Sequence, residues 1–170
     1  MTGPCIDGAL LAQADSVMRT LRARKLSVVT AESCTAGLIA AALSQADGAS
    51  EHLHGSFVVY TKDNKAKALG VPSALLAERG SVNDDVAKHM ACGALERSPA
   101  DIALAVTGVL GPDEDEDGNP VGLAFISACR RGRDVEIVRK DYGKHHDDDL
   151  RHRVVCDALE WLRQCAEADA

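Results

Sequence analysis

Aromatic residues supply only 3% of this chain, while hydrophobic residues as a group supply 46%. A core built on large rings is therefore excluded, and Ala, Val and Leu must form it, which suits helices packed tightly on a sheet. Positive charge is also in deficit. The net charge of −7 excludes general attraction to nucleic acid or to an anionic membrane surface, though not a local basic pocket for one small phosphate. No apolar run approaches the length that spans a bilayer, and residues 1–25 lack the layout of a secretory signal. A cytoplasmic protein is expected. The cysteines at 5, 34, 92, 129, 156 and 165 never form a C-x-x-C pair. They are read as free thiols, most of them acting as small buried hydrophobes. Internal repeats, low-complexity linkers and domain boundaries are all missing, so residues 1–170 are read as a single domain.

What is present alternates in period. Residues 7–24 place Leu10, Leu11, Ala14, Val17, Met18 and Leu21 at helical spacing. A β-branched run at 27–31 predicts a buried strand, and the Ala-rich stretch 35–46 predicts a deeply packed helix stopped by Gly48. A second strand is expected at 56–60, followed by a short helix closed by Gly70 and another opened by Pro72. Ser81 with Asp84 reads as a capping-box-like start to an amphipathic helix. A third strand at 101–108 runs into glycine, and 121–130 with 134–143 predict a hairpin about Gly132. A last helix over 147–167 carries Leu150, Val154, Ala158, Trp161, Leu162 and Cys165 on one face. This order predicts an α/β fold: a layered α/β/α domain with a mixed β-sheet flanked by helices.

Three stretches bear on chemistry. In "TAESCTAG" (30–37), Ser33 falls at a strand-to-helix turn, beside N–H groups left open at a helix start. Those groups can receive the serine oxygen as a helix cap, or they can hold an oxyanion. In "SFVVYTKDNKAKALGV", Tyr60 ends a strand and Lys62, Lys65 and Lys67 follow; a solvated helix face accounts for Lys62 and Lys67. In "LAVTGVLGP", the strand ends on Thr107-Gly108, a glycine loop of the kind that approaches a phosphate or merely turns the chain.

Together with "GSVNDDVAKHMACGA" and "NPVGLAFIS", and in this order and spacing, these stretches resemble the CinA C-terminal domain family over about residues 10–165. Characterised members of that family are nicotinamide-nucleotide amidases. The resemblance implies a stand-alone hydrolase of pyridine nucleotide salvage, which converts nicotinamide mononucleotide to nicotinate mononucleotide and ammonia without metal or cofactor. It implies Ser33 as nucleophile, Lys65 as general base and Tyr60 as an orienting or proton-relaying group. By the same resemblance, Ser50 is placed near the pocket and Thr107 and Gly108 in the substrate loop. The oxyanion would be held by N–H groups of Cys34 or Thr35, and Arg151 keeps one of two arginines expected near the substrate phosphate. A small-molecule nucleotide is thus the expected partner, with no nucleic acid and no membrane. The long apolar helices suit a homo-oligomer.

The chain departs from the family's pattern in places. Ala36 stands where a glycine is usual, Leu110 where an alanine is, Asp147 at the other arginine position, and "DEDED" (113–117) where glycines cluster. Five carboxylates lining a phosphate pocket would repel a nucleotide. They motivate an alternative, a non-catalytic paralogue binding another ligand or a protein partner. Two further alternatives stay open: Cys34 as nucleophile, and a divalent ion held by His145, His146, Asp147, Asp148, Asp149 and the acidic run.

Overall fold

The computed structural model describes residues 6–168. In chain order the elements are α1 (Gly8–Arg24), β1 (Val28–Glu32), α2 (Leu38–Ser44), α3 (Ala49–His52), β2 (Leu53–Val58), α4 (Lys62–Leu69), α5 (Ser73–Arg79), α6 (Asp84–Glu96), β3 (Ile102–Gly108), β4 (Leu123–Arg130), β5 (Glu136–Asp141) and α7 (Asp147–Glu167). The five strands form one sheet in the order β2-β1-β3-β4-β5. β1 pairs parallel with β2 and with β3, while β4 and β5 are antiparallel additions. The sheet is therefore mixed.

Period-two alternation assigns each strand residue to a face. Val28, Ile102, Leu104, Val106 and Ile126 pack with α1, α2 and α7 on one side. Val29, Ala31, Ala103 and Ala105 pack with α4, α5 and α6 on the other. Both faces of β1 and β3 are covered, which is why their sequences read as nearly unbroken apolar runs. The expected three-layer α/β/α arrangement is the observed one.

Several boundaries differ from the sequence reading for local reasons. The helix expected from residue 35 begins at Leu38, because Ala36 and Gly37 both adopt positive φ (52° and 93°) and spend residues 34–37 on a turn. The strand expected at 56–60 runs from Leu53 to Val58, so Tyr60 lies beyond it. The cap of α6 is Asn83, whose side chain accepts from the Val86 N–H at 2.9 Å, and not Ser81. Cys34, Cys92, Cys129, Cys156 and Cys165 are free thiols, and Cys5 lies outside the described residues. No helix among the described residues is long and apolar enough to cross a membrane.

The connections create the site. From β1 the chain leaves through α2 on one face, and from β2 it returns to β3 through α4, α5 and α6 on the other. The carboxyl ends of β1 and β3 consequently open a crevice, the usual position for ligands in such sheets.

Candidate active site

A cavity of about 340 Å³ occupies this crevice. Ser33, Cys34 and Tyr60 line it on one side, Gly108 to Asp115 on the other, with Ser81, Val82 and Arg151 between. Ser33 directly follows β1, and its N–H donates to Val106 O (3.0 Å), while Glu32 O receives the Val59 N–H (2.8 Å). The turn is thus tied to both neighbouring chain segments.

Lys65 reaches the same point from α4. Thr61 caps that helix, accepting from the Asn64 N–H at 3.1 Å, and orients its first turn toward the sheet end. The Lys65 side chain is 1% exposed. Its Nζ lies 2.8 Å from Ser33 Oγ and 3.1 Å from Tyr60 O. Burial, assisted by nearby Lys62, brings its pKa down to about 8, against an opposing pull from Cys34. No carboxylate among the described residues pairs with it, which leaves the desolvation uncompensated. At that value an appreciable neutral fraction exists near physiological pH, and neutral amine is the form that accepts a serine proton.

Burial acts oppositely on Cys34, pushing its thiol up to about 12 despite Lys65 nearby. A thiolate is the nucleophilic form of cysteine, so this shift disfavours Cys34 in that role. The N–H groups of Cys34 and Thr35 donate to no oxygen among the described residues, and they sit immediately after Ser33. Cys34 lines the cavity, so its N–H is available to a developing oxyanion; Thr35, expected beside it, is buried and is not a lining residue.

The remaining expected residues divide. Gly108 lines the cavity. Thr107 is buried and does not; its Oγ1 donates to Ser81 O (2.8 Å), fixing the segment that carries Ser81 and Val82. The Tyr60 ring lines the cavity at 72% exposure, and its carbonyl holds Lys65. Ser50 is not brought to the site. Register pairs Leu53 with Val28 and Val58 with Glu32, so α3, just before Leu53, lies at the amino end of β1 while Ser33 follows its carboxyl end. Arg151 lines the cavity from the first turns of α7. It makes an exposed contact with Asp148 (3.4 Å), but its buried Nε has no partner. A buried guanidinium N–H left open at a cavity wall is a ready donor for an anionic group.

The acidic run is less hostile than its composition suggests. Asp115 turns back into its own loop, accepting from the N–H groups of Asp117 (3.1 Å) and Asn119 (2.8 Å). Glu116 and Asp117 each lie 2.8 Å from Lys62 Nζ, and Asp117 also accepts from the Ser81 N–H. Only Asp113 and Glu114 of the run have no hydrogen bond or ion pair among the described residues, and both line the cavity. No group of three or more His, Cys, Asp or Glu among the described residues is arranged to hold a metal ion. His146 instead caps α7 by accepting from the Asp148 N–H; the Asp147 side chain lies outside what is described.

The residue that sequence reasoning missed is Glu32. Its carboxylate is fully buried beneath the turn, receiving the N–H groups of Gly37 (3.0 Å), Ile39 (3.1 Å) and Ala40 (2.9 Å). A glutamate closing an apolar strand just before a helix was the available signal, because such a position can only be satisfied by that helix's first N–H groups.

Comparison with known proteins agrees with this architecture. The CinA C-terminal domain family model matches residues 11–166. A CinA-like protein of Geobacter sulfurreducens is 41% identical over 150 residues, covering 88% of this chain and 36% of that protein. A CinA-like protein of Mycobacterium marinum is 40% identical over 151 residues, covering 88% of this chain and 35% of that one. The chain thus spans little more than a third of the length of these two relatives. The crystal structure of the competence/damage inducible protein CihA from Agrobacterium tumefaciens superposes with a TM-score of 0.90 at 36% identity, covering 99% of this chain and all of that one (100%). With the family model spanning most of its length, the chain belongs to the CinA C-terminal domain family.

Proposed function

We propose that the chain is a serine amidase that hydrolyses the carboxamide of nicotinamide mononucleotide to nicotinate mononucleotide and ammonia. The observation that carries this reading is the buried contact of 2.8 Å between Lys65 Nζ and Ser33 Oγ. A lysine desolvated against a serine hydroxyl, without a carboxylate partner, is a poor device for stability and a good one for proton transfer.

Neutral Lys65 takes the Ser33 proton as Oγ bonds to the amide carbon. The oxyanion that forms accepts a hydrogen bond from the N–H group of Cys34. Lys65 then gives its proton to the departing nitrogen, the C–N bond breaks, and ammonia leaves an acyl ester on Ser33. Water attacks that ester with Lys65 again taking a proton; the C–Oγ bond breaks, Ser33 recovers its hydrogen, and the carboxylate product departs. Tyr60 holds Lys65 through its carbonyl. Arg151, on the cavity wall with its Nε unpaired among the described residues, supports a role as donor to the substrate phosphate.

Asp113 and Glu114, unpartnered among the described residues, support a second reading, a non-catalytic paralogue that binds a different ligand or a protein partner. One experiment separates the two. Purified protein is incubated with nicotinamide mononucleotide, riboside and dinucleotide, and ammonia and the acid product are quantified together. Equimolar release of both from the mononucleotide supports the amidase. No product from any of the three, with or without binding by calorimetry, supports the second reading.

A further inference from the structure

We propose that Glu32 is a positioning residue for Ser33: its buried carboxylate holds the turn 33–35 in the shape that leaves the Cys34 N–H open at the cavity. This rests on the amidase reading and adds to it a residue that touches no substrate.

Alternation along β1 turns Glu32 toward the face that α2 covers. Its Oε2 receives Thr35 Oγ1 (2.7 Å) and the N–H groups of Gly37 and Ile39; its Oε1 receives the Ala40 N–H and Thr30 Oγ1 (3.1 Å), with Ser56 Oγ at 3.5 Å. A carboxylate can only accept, and every group facing it can donate, so the match leaves no lone pair stranded in a dry interior. Two consequences follow. The positive end of α2 is neutralised inside the protein by Glu32. The turn one step earlier keeps the N–H groups of Cys34 and Thr35 without an oxygen acceptor among the described residues, and of the two residues Cys34 lines the cavity. Thr35 links Glu32 to this donor, because its hydroxyl is bound to Glu32 and its backbone directly follows Cys34. An oxyanion donor displaced by a fraction of an ångström loses much of its effect on the transition state and little on ground-state binding.

The test uses Glu32→Gln and Thr35→Val in the full chain. Glu32→Gln keeps the shape but turns an amide NH2 against N–H donors; Thr35→Val removes one hydrogen bond only. Turnover of nicotinamide mononucleotide is measured beside the rate at which a fluorophosphonate labels Ser33, both normalised to the cooperatively folded fraction. For Glu32→Gln, kcat and labelling fall by about 100-fold or more, while KM stays within about three-fold. Thr35→Val loses about ten-fold in both rates. Normalised rates within about three-fold of the parent in either folded variant overturn the proposal. If Glu32→Gln does not fold, Thr35→Val decides alone. If the parent is labelled at Ser33 but leaves the mononucleotide untouched, the substrate reading has failed and the labelling rates still decide for Glu32. If the parent is neither labelled nor active, the nucleophile reading fails and this proposal falls with it.

Discussion

On one wall of the cavity Ser33 and Lys65 are buried, tied to two strands and a helix, and set in contact at 2.8 Å. On the facing wall, Asp113 and Glu114 stand exposed, with no partner among the described residues. The first wall sits in the sheet's own interior, where a displaced atom disturbs a packed core. The second is a loop that satisfies itself through Asp115 and leans on α4 through Lys62. The proposed Ser33–Lys65 pair is thus held rigidly, while the unpaired charge at the cavity is carried on a loop that can vary without disturbing the core.

The largest effect belongs to the buried wall. Lys65→Met removes the base, and ammonia release falls by about a thousand-fold or more. Its stability should move the other way. Burial holds the folded-state pKa of Lys65 at about 8, against 10.5 for an ordinary lysine. The unfolded chain therefore holds the extra proton between those values, and stability rises with pH across that window. Below it, the buried charge costs the fold about 3 kcal/mol in full, and that cost is removed in the variant. Denaturant titration at pH 7 then finds Lys65→Met no less stable than the parent; a clear loss would show that Lys65 serves packing instead.

The pH profile sharpens the same wall. Below about 8, the neutral fraction of Lys65 rises roughly ten-fold per pH unit. The parent's kcat/KM climbs accordingly and levels above that value. A flat profile from pH 6 to 9 would detach Lys65 from the reaction.

Between the walls, Arg151→Met tests the phosphate site. KM for the mononucleotide rises by about ten- to a hundred-fold with kcat within a few-fold. The riboside, lacking the phosphate, shows no such change; equal loss on both substrates would break the assignment. The smallest effect is expected at the loop. The double variant Asp113→Asn, Glu114→Gln lowers KM for the mononucleotide by about two- to five-fold without changing kcat, and added salt narrows the difference. A change in kcat would place these carboxylates nearer the reaction than the loop position implies.

The alternating elements and the three layers were legible because periodic apolar residues report burial directly. The last helix, bounded by acidic residues and an apolar face, was readable to its ends. The turn before α2 was not, since a positive φ at Ala36 is decided by what Glu32 and Gly37 do nearby and leaves no mark in alanine itself. Ser33 and Lys65 were visible as residue types at strand and helix ends. That they touch depended on register, as did the displacement of Ser50 to the opposite end of the sheet. The acidic run shows a similar limit. Composition counts five carboxylates, but geometry leaves two of them, Asp113 and Glu114, unpartnered at the cavity.

The central claim is that Ser33 attacks a carboxamide with Lys65 as its base. The measurement closest to it is ammonia release from nicotinamide mononucleotide at pH 8.5 by the parent and by Ser33→Ala, with far-UV circular dichroism and melting of both. The predicted result is steady release by the parent and loss by about four orders of magnitude or more in a variant that melts as the parent does. Undiminished release by folded Ser33→Ala would contradict the account.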